Sequence, residues 1–253
     1  MSTWNYLKPL AAAADLATVL DEIRESGFGA ELWLDWTAAP QVFERPRWPE
    51  IRKLCSGLPA LSAHTRLIKY FSLETLCEEM NLCAYLGADP LVCHPRSFGI
   101  DVSTWAPKGK RKLTAEDRSR IGVILKQACD RSLRVALENG PLNVLTQVLE
   151  VTADHPTFDH LGICIDTGHA HMHSGLYESP TLEYIRSFRD HLVHLHLHDN
   201  QGLEDDHLVP GLGTIDWPAI FAELAGYEYN GQYVFELAAG DPQDSAERAR
   251  NYI

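Results

Sequence analysis

Six short apolar stretches in this chain end at or beside a side chain of the kind that binds metals: His64, His94, Glu138, Asp166, His196 and Glu236. Each stretch has strand length, and helical spacing of apolar residues follows. Strands separated by helices pair in parallel, because a crossover helix carries the chain back to the end from which the next strand starts. In a closed parallel barrel the C-terminal strand ends form a single mouth, where catalytic groups belong. Any one of these side chains alone reads as a satisfied structural group. Six at six strand ends point to one polar site.

In order, the strand patterns fall at residues 2–6 (weakly), 29–35, 59–64, 89–94, 133–138, 161–166, 192–198 and 232–236. Helical patterns fall at 15–26, 48–56, 73–86, 114–132, 142–153, 182–188 and 217–224, and a short one at 245–253 closes the series. Gly27 and Gly87 stop two of them, and Thr114 is placed to cap a third with Asp117 in its first turn. No linker, repeat or low-complexity tract divides the 253 residues. No G-x-G-x-x-G follows a strand, which disfavours an open dinucleotide-binding sheet. The expectation is α/β: one (β/α)8 TIM-barrel domain over residues 1–253, with eight parallel strands.

The stretch 191–217, HLVHLHLHDNQGLEDDHLVPGLGTIDW, carries the most chemistry. His194, His196 and His198 alternate with Val193, Leu195 and Leu197, so a strand here turns all three imidazoles to one face. Buried imidazoles need partners for their ring nitrogens, and a metal is one. The loop adds Asp205 and His207, then Gly211 and Gly213, where backbone can turn sharply or approach a ligand. The plainer alternative is a core strand with hydrogen-bonded histidines and a solvated acidic loop. In C-I-D-T-G-H, Asp166 and His169 flank a tight turn and both can reach the mouth. His171 and His173 read as lip or helix-surface residues.

Imidazole and carboxylate together suit Mn, Zn, Co or Mg, and no site cysteine suggests a thiolate-rich structural zinc. The six cysteines form no C-x-x-C pair and several lie in apolar runs, which reads as reduced thiols of a cytoplasmic protein. The chain shows no secretory signal and no apolar run of membrane-spanning length. Lys and Arg total 22 against 35 Asp and Glu, a formal charge of −13. Such a chain repels polyanions, so nucleic acid and anionic membranes are disfavoured as partners. The basic run K-G-K-R-K at 108–112 should lie on the mouth side, either gripping a substrate anion or simply solvated. Trp33, with Asp35 and Trp36, ends the second strand, and its ring could stack on a sugar or pack the barrel top.

The motifs L-E-N at 137–139, D-T-G-H at 166–169, H-L-H-D-N at 196–200, D-D-H with G-L-G-T-I-D-W at 205–217, and F-E-L at 235–237, with a weaker N-terminal match in S-T-W and A-E-L-W, together resemble the xylose-isomerase-like TIM-barrel superfamily. That superfamily includes sugar epimerases and apurinic-site endonucleases. The resemblance implies a divalent metal held by Glu138, Asp166, His196 and Glu236. It also implies that Glu138 and Glu236 are catalytic, moving a proton between adjacent carbons while the metal stabilises the enediolate. The endonuclease branch implies up to three zincs, adding His64, His94, His169, Asp205 and His207 to those four. All nine positions are matched. The expected substrate contacts are His169, Trp33, Arg66 and His198. Against the endonucleases, T-R-L-I follows His64 where a tyrosine-containing loop is expected, and Pro95-Arg96 follows His94 in place of Pro-Gly. The expected function is therefore metal-dependent isomerisation or epimerisation of a small sugar or sugar-like polyol, in a chain that could also self-associate. Multi-zinc phosphoester hydrolysis is the alternative. A sugar-binding barrel without catalysis is a third reading, disfavoured by the paired glutamates.

Overall fold

A strand buried at every position must be covered on both faces, which is what a barrel wrapped in helices provides. Leu161–Asp166 is such a strand, buried throughout. The computed structural model describes residues 1–6, 16–35, 40–67, 70–102, 112–172 and 179–238. Among them seven parallel strands pair in chain order: β1 Ala30–Trp33, β2 Leu61–His64, β3 Leu91–Cys93, β4 Val135–Glu138, β5 Leu161–Asp166, β6 Leu192–Leu197 and β7 Gln232–Phe235. Leu16–Glu25 precedes β1, and the principal helices between the strands are Trp48–Leu54, Leu73–Leu86, Ala115–Cys129, Leu142–Thr152, Pro180–Phe188 and Trp217–Gly226.

The eighth strand expected at residues 2–6 does not form. Ser2 makes a single parallel bridge to Glu31. The Ser2 N–H donates to the Phe235 carbonyl at 3.1 Å, and the Glu31 N–H donates to the Met1 carbonyl at 2.9 Å, so this one bridge spans the gap between β7 and β1. The chain then winds into a 3-10 turn, Thr3–Tyr6. The reason is local: the Thr3 hydroxyl takes the Trp33 N–H at 2.8 Å, so the side chain supplies the acceptor that a continuing strand would have offered. The sheet is thus a seven-stranded, nearly closed barrel. Expectations for Trp36, His173, residues 108–111 and the helix at 245–253 lie outside the described residues.

Alternation sorts the strands into an outer and an inner set. Leu32, Ala63, Leu91, Leu137, Ile163, Ile165, Leu195 and Leu197 join the apolar layer under the helices. Val92, Ala136 and Cys164 form a separate small apolar cluster, with Val193 packed against it. Fully or almost fully buried with them are Glu31, Ser62 and His194, an unusual amount of polarity for a barrel interior. Register then levels the strand ends: Trp33 pairs with His64, Glu138 with Cys164, Asp166 with His196 and Leu197 with Phe235. Parallel strands in such register bring polar side chains from different parts of the chain to one rim. Among the described residues no helix is long and apolar enough to cross a membrane.

Candidate metal centre

Each of the six strand-end residues sits where the chain leaves the sheet. His64, Glu138 and Asp166 are the last residues of β2, β4 and β5; His94 and Glu236 follow β3 and β7; His196 is the penultimate residue of β6. His169 comes from Thr167–His171, a five-residue helix where the sequence suggested only a turn. Asp166 caps that helix, its Oδ1 accepting the His169 N–H at 2.7 Å. Asp205 and His207 come from the loop after β6.

That loop is built by the other motif residues. Asp199 is fully buried and accepts the N–H of Gly211 at 2.9 Å, the N–H of Ile215 at 3.2 Å and the Trp217 indole N–H at 2.8 Å. Asn200 donates through Nδ2 to the Gly168 carbonyl at 2.9 Å, tying the loop to the neighbouring helix. Asn139 is bonded to the backbone of Asp166 in both directions, joining the ends of β4 and β5. Gly168 is required by crowding: a Cβ there would lie 2.0 Å from His198 Cε1. The His198 ring cannot easily retreat, because it is fully buried and stacked on His207 with centroids 3.8 Å apart. Gly168→Ala is therefore expected to cost about 1–3 kcal/mol as an overpacked core, lowering the melting temperature by roughly 2–12 °C. Thermal unfolding checks this; an unchanged midpoint would show that the ring does yield.

The site residues form three touching groups. His64 Nε2 lies 3.0 Å and His94 Nε2 3.7 Å from Glu138 Oε2. His196 Nδ1 lies 3.6 Å from Glu236 Oε2, 3.8 Å from Asp166 Oδ2 and 3.9 Å from Glu138 Oε2. His169, His198, Asp205 and His207 form the third group, with His169 Nδ1 reaching back to Glu138 Oε1 at 2.9 Å. Two of the imidazoles are held by carbonyls: His64 Nδ1–H donates to Thr65 O at 2.7 Å and His207 Nδ1–H to Glu236 O at 2.9 Å. In each, Nε2 is left for the site, the arrangement by which protein histidines are oriented toward a metal. His207 holds it with a positive φ of 49°, a strained backbone for a bulky residue.

The electrostatics are those of carboxylates surrounded by imidazoles. Burial pushes Glu138 up, but His94, His169 and His64 outweigh it and hold the carboxyl well below the ordinary range. Asp166 and Asp205 are likewise lowered against their burial, the first by His169 and His198, the second by His169 and His207. Burial lowers His94 to about 4, against the raising influence of the neighbouring Glu138 carboxylate.

A divalent cation fits this donor set. Asp166 Oδ2, Glu236 Oε1 and His196 Nδ1 are buried and have no hydrogen-bond partner. Buried polar atoms in this condition require an explanation. Bonds of about 2.0–2.2 Å to a common cation would place neighbouring ligand atoms roughly 3–4 Å apart, the spacing seen around His196. Asp166, His196 and Glu236 would hold it, with Glu138 at their edge. The other two groups could hold more. Chelation should lower the melting temperature, because a ligand present at about a hundredfold over its Kd adds about 2.7 kcal/mol to folding. Equal melting curves before and after verified metal removal would refute a tightly held cation.

The expected substrate contacts are placed less uniformly. Trp33 lines the mouth, tilted on His64 at 4.2 Å, and His169 lines it too. Arg66 lines an adjoining cavity. His198 is fully buried below the mouth, its Nε2 2.8 Å from Asp166 Oδ1, and lines neither space. Two residues of the weak N-terminal matches S-T-W and A-E-L-W join the site without an expected role. Trp4 stacks on His207 at 4.2 Å and lines the mouth together with Trp33. Glu31 lies beneath the centre, its carboxylate 2.7 Å from His194 Nε2 and 3.1 Å from His196 Nε2, and accepts the Ser62 hydroxyl at 2.9 Å. Strand alternation puts Glu31 on the inner face; nothing in its own segment shows that His196 stands across the barrel.

Comparisons agree with this architecture. A family model described as a xylose isomerase-like TIM barrel matches residues 51–253. An uncharacterized protein of Sinorhizobium fredii, y4fM, is 30% identical over 168 residues, 65% of this chain and 52% of its own length. Across the first three curated relatives the match spans 34–59% of their length, so this chain covers about half of them. The inosose dehydratase of Klebsiella pneumoniae strain 342 is 24% identical over 217 residues, 72% of this chain and 70% of that one. Among solved structures, a D-tagatose 3-epimerase-like protein superposes with a TM-score of 0.75 at 20% identity, covering 100% of this chain and 95% of its own.

Proposed function

Because the chain belongs to the xylose isomerase-like TIM-barrel family, we propose that it is a metal-dependent enzyme that isomerises or epimerises a small sugar or sugar-like polyol. The observation that carries this reading is the pair of glutamates, Glu138 and Glu236, that line one mouth beside the His196 group, where Glu236 Oε2 lies 3.6 Å from His196 Nδ1. A carboxylate that lines a substrate space and has an oxygen outside any hydrogen bond can act there as a general base toward a carbon-bound proton. Glu138 supplies the second carboxylate, kept ionised by its imidazole neighbours. With one glutamate receiving a proton and the other returning one, hydrogen is moved between adjacent carbons or between faces of one carbon. A bound cation supplies the charge that polarises the substrate's carbonyl and hydroxyl oxygens. Trp4 and Trp33 wall a cavity of about 170 Å³. His169 donates to a substrate oxygen.

The fold relationship to a D-tagatose 3-epimerase-like protein supports this reading. The inosose dehydratase relative favours a neighbouring outcome. A base that removes a proton beside a carbonyl can also start loss of water from the next carbon, if an acid meets the leaving hydroxyl. Multi-zinc hydrolysis is the second reading, favoured by the additional groups His64–His94–Glu138 and His169–His198–Asp205–His207. The deciding experiment combines metal stoichiometry on protein purified without chelator with deuterium wash-in from solvent into ketoses and aldoses. One metal per chain and exchange at a sugar carbon support the isomerase. Two or three zincs, no exchange and zinc-dependent ester cleavage would replace it with the hydrolase.

A further inference from the structure

The mouth is not the only space at this rim. A cavity of about 300 Å³ adjoins it, and the two share Leu67 and His94 as walls. Its polar lining differs from the mouth's in sign. The mouth is walled by carboxylates and imidazoles. The adjoining cavity is lined by Arg66 and Arg96, with Ser97 and Asn139. We propose that this cavity receives an anionic group of the substrate, a carboxylate or a phosphate, through Arg96 and Arg66, while the reacting carbons lie in the mouth beyond His94. The proposal rests on the mouth being the reaction site.

The two arginines are prepared differently. Arg66 is anchored by Glu79, which is almost fully buried: Nε donates to Glu79 Oε1 at 2.7 Å and the Arg66 backbone N–H to the same oxygen at 3.2 Å. That contact uses the inner edge of the guanidinium. Among the described contacts its two terminal nitrogens have no acceptor, so they remain available to a ligand. Arg96 is carried on the 3-10 turn Pro95–Phe98, which leaves β3 directly after His94. Pro95 fixes the start of that turn, and Gly99, at a φ of 72°, ends it. No carboxylate among the described residues pairs with Arg96. Among the described residues two arginines thus line this space, and the one carboxylate paired with either of them, Glu79, is committed to Arg66.

An unbalanced pair of arginines in a chain of net charge −13 is a local feature that the overall charge would not produce. Guanidinium presents a planar fork of donors, which matches the paired oxygens of carboxylate and phosphate. Ser97 and Asn139 lie in the same wall. The Ser97 hydroxyl is 3.1 Å from that of Thr65, so this wall too is tied to the strand end that carries His64. The volume admits one such group with a short carbon chain and is far too small for a nucleic-acid backbone. The chain's net charge of −13 also disfavours a polyanion.

The first test uses metal-free protein, so that an anion cannot bind through a metal. Inorganic phosphate, and separately acetate, is titrated into the wild type and into Arg96→Gln, followed by amide chemical shifts. Saturable binding, weakened roughly ten- to hundredfold in Arg96→Gln, is expected from the loss of one charged hydrogen-bonding partner. Arg96→Lys should bind with intermediate strength, because it keeps the charge without the fork. Equal binding by wild type and Arg96→Gln overturns the proposal. The second test uses metal-loaded protein and deuterium wash-in with matched neutral ketoses, their terminal phosphates and the corresponding sugar acids. Faster exchange with one anionic series is expected, and the series that wins distinguishes phosphate from carboxylate. Arg96→Gln should raise KM for that series more than it lowers kcat. Preference for the neutral sugars overturns the proposal. Exchange with none of them, together with phosphate binding lost in Arg96→Gln, would remove the isomerase reading and leave the anion subsite standing.

Discussion

Glu236→Gln should lower solvent-deuterium exchange at the reacting sugar carbon by about 10²–10⁴-fold, the range contributed by a positioned general base. Glutamine keeps an oxygen that can still ligate, but it removes the proton acceptor. The variant therefore separates metal binding from proton transfer when metal content is measured alongside exchange. His94→Ala is the matched comparison. Its imidazole lies 3.7 Å from Glu138 Oε2, at the wall between the two cavities. In an isomerase its loss should disturb substrate fit more than chemistry. In a multi-zinc hydrolase it should remove metal and activity together, because the imidazole would then hold an ion that binds the nucleophilic water. Exchange that survives His94→Ala and fails in Glu236→Gln supports the isomerase. Both variants losing metal and ester cleavage alike, with no exchange in the wild type, would sink it.

What the sequence shows of this site, and what it hides, follows from the range over which each feature acts. The helix Leu73–Leu86 was read to the residue because both of its ends are local: Ser72 Oγ accepts the Thr75 N–H at 3.1 Å, and Gly87 turns left-handed at a φ of 76°. The strand Leu161–Asp166 was legible because its apolar run stops at an aspartate. Residues 2–6 were misread as a strand because the deciding contact, Thr3 Oγ1 with the Trp33 N–H, joins segments thirty positions apart. The nine strand-end and loop residues could be gathered from sequence because parallel register puts strand ends on one rim whatever the intervening helices do. Which of them touch could not be read, because that depends on neighbours around the ring: His64 meets Glu138 across β3, and His169 meets Asp205 across the end of β6. Trp4 was missed for the same reason. The S-T-W match marks its segment only weakly and assigns it no role, and only closure of the barrel sets its ring against His207.

Glu31 gives the sharpest test of how the interior supports the centre. It is fully buried, and desolvation alone would raise its carboxyl; His196 and His194 instead hold it well below the ordinary range. It faces His196 from the side opposite Glu138, Asp166 and Glu236: Nε2 lies 3.1 Å from Glu31, while Nδ1 faces the other three. The approach is close but lacks hydrogen-bond alignment. A cation drawing His196 Nδ1 toward it could bring Nε2–H into line with Glu31, and the carboxylate would then make the imidazole a better donor to the metal. Removing such a partner typically costs about 10–100-fold in metal affinity. Glu31→Gln is nearly isosteric, so chelator competition should show an affinity loss of that size with Zn or Mn. Ser62→Ala removes only the hydroxyl donated to Glu31 at 2.9 Å, and should weaken metal binding far less. If Glu31→Gln is folded by circular dichroism and binds metal as tightly as the wild type, Glu31 serves only to neutralise His194, and the orientation of His196 has another source. If the two variants weaken binding equally, the effect belongs to interior packing. A selective loss in Glu31→Gln, accompanied by a changed His196 imidazole resonance in the metal-free protein, would establish that the barrel floor sets the geometry of the rim.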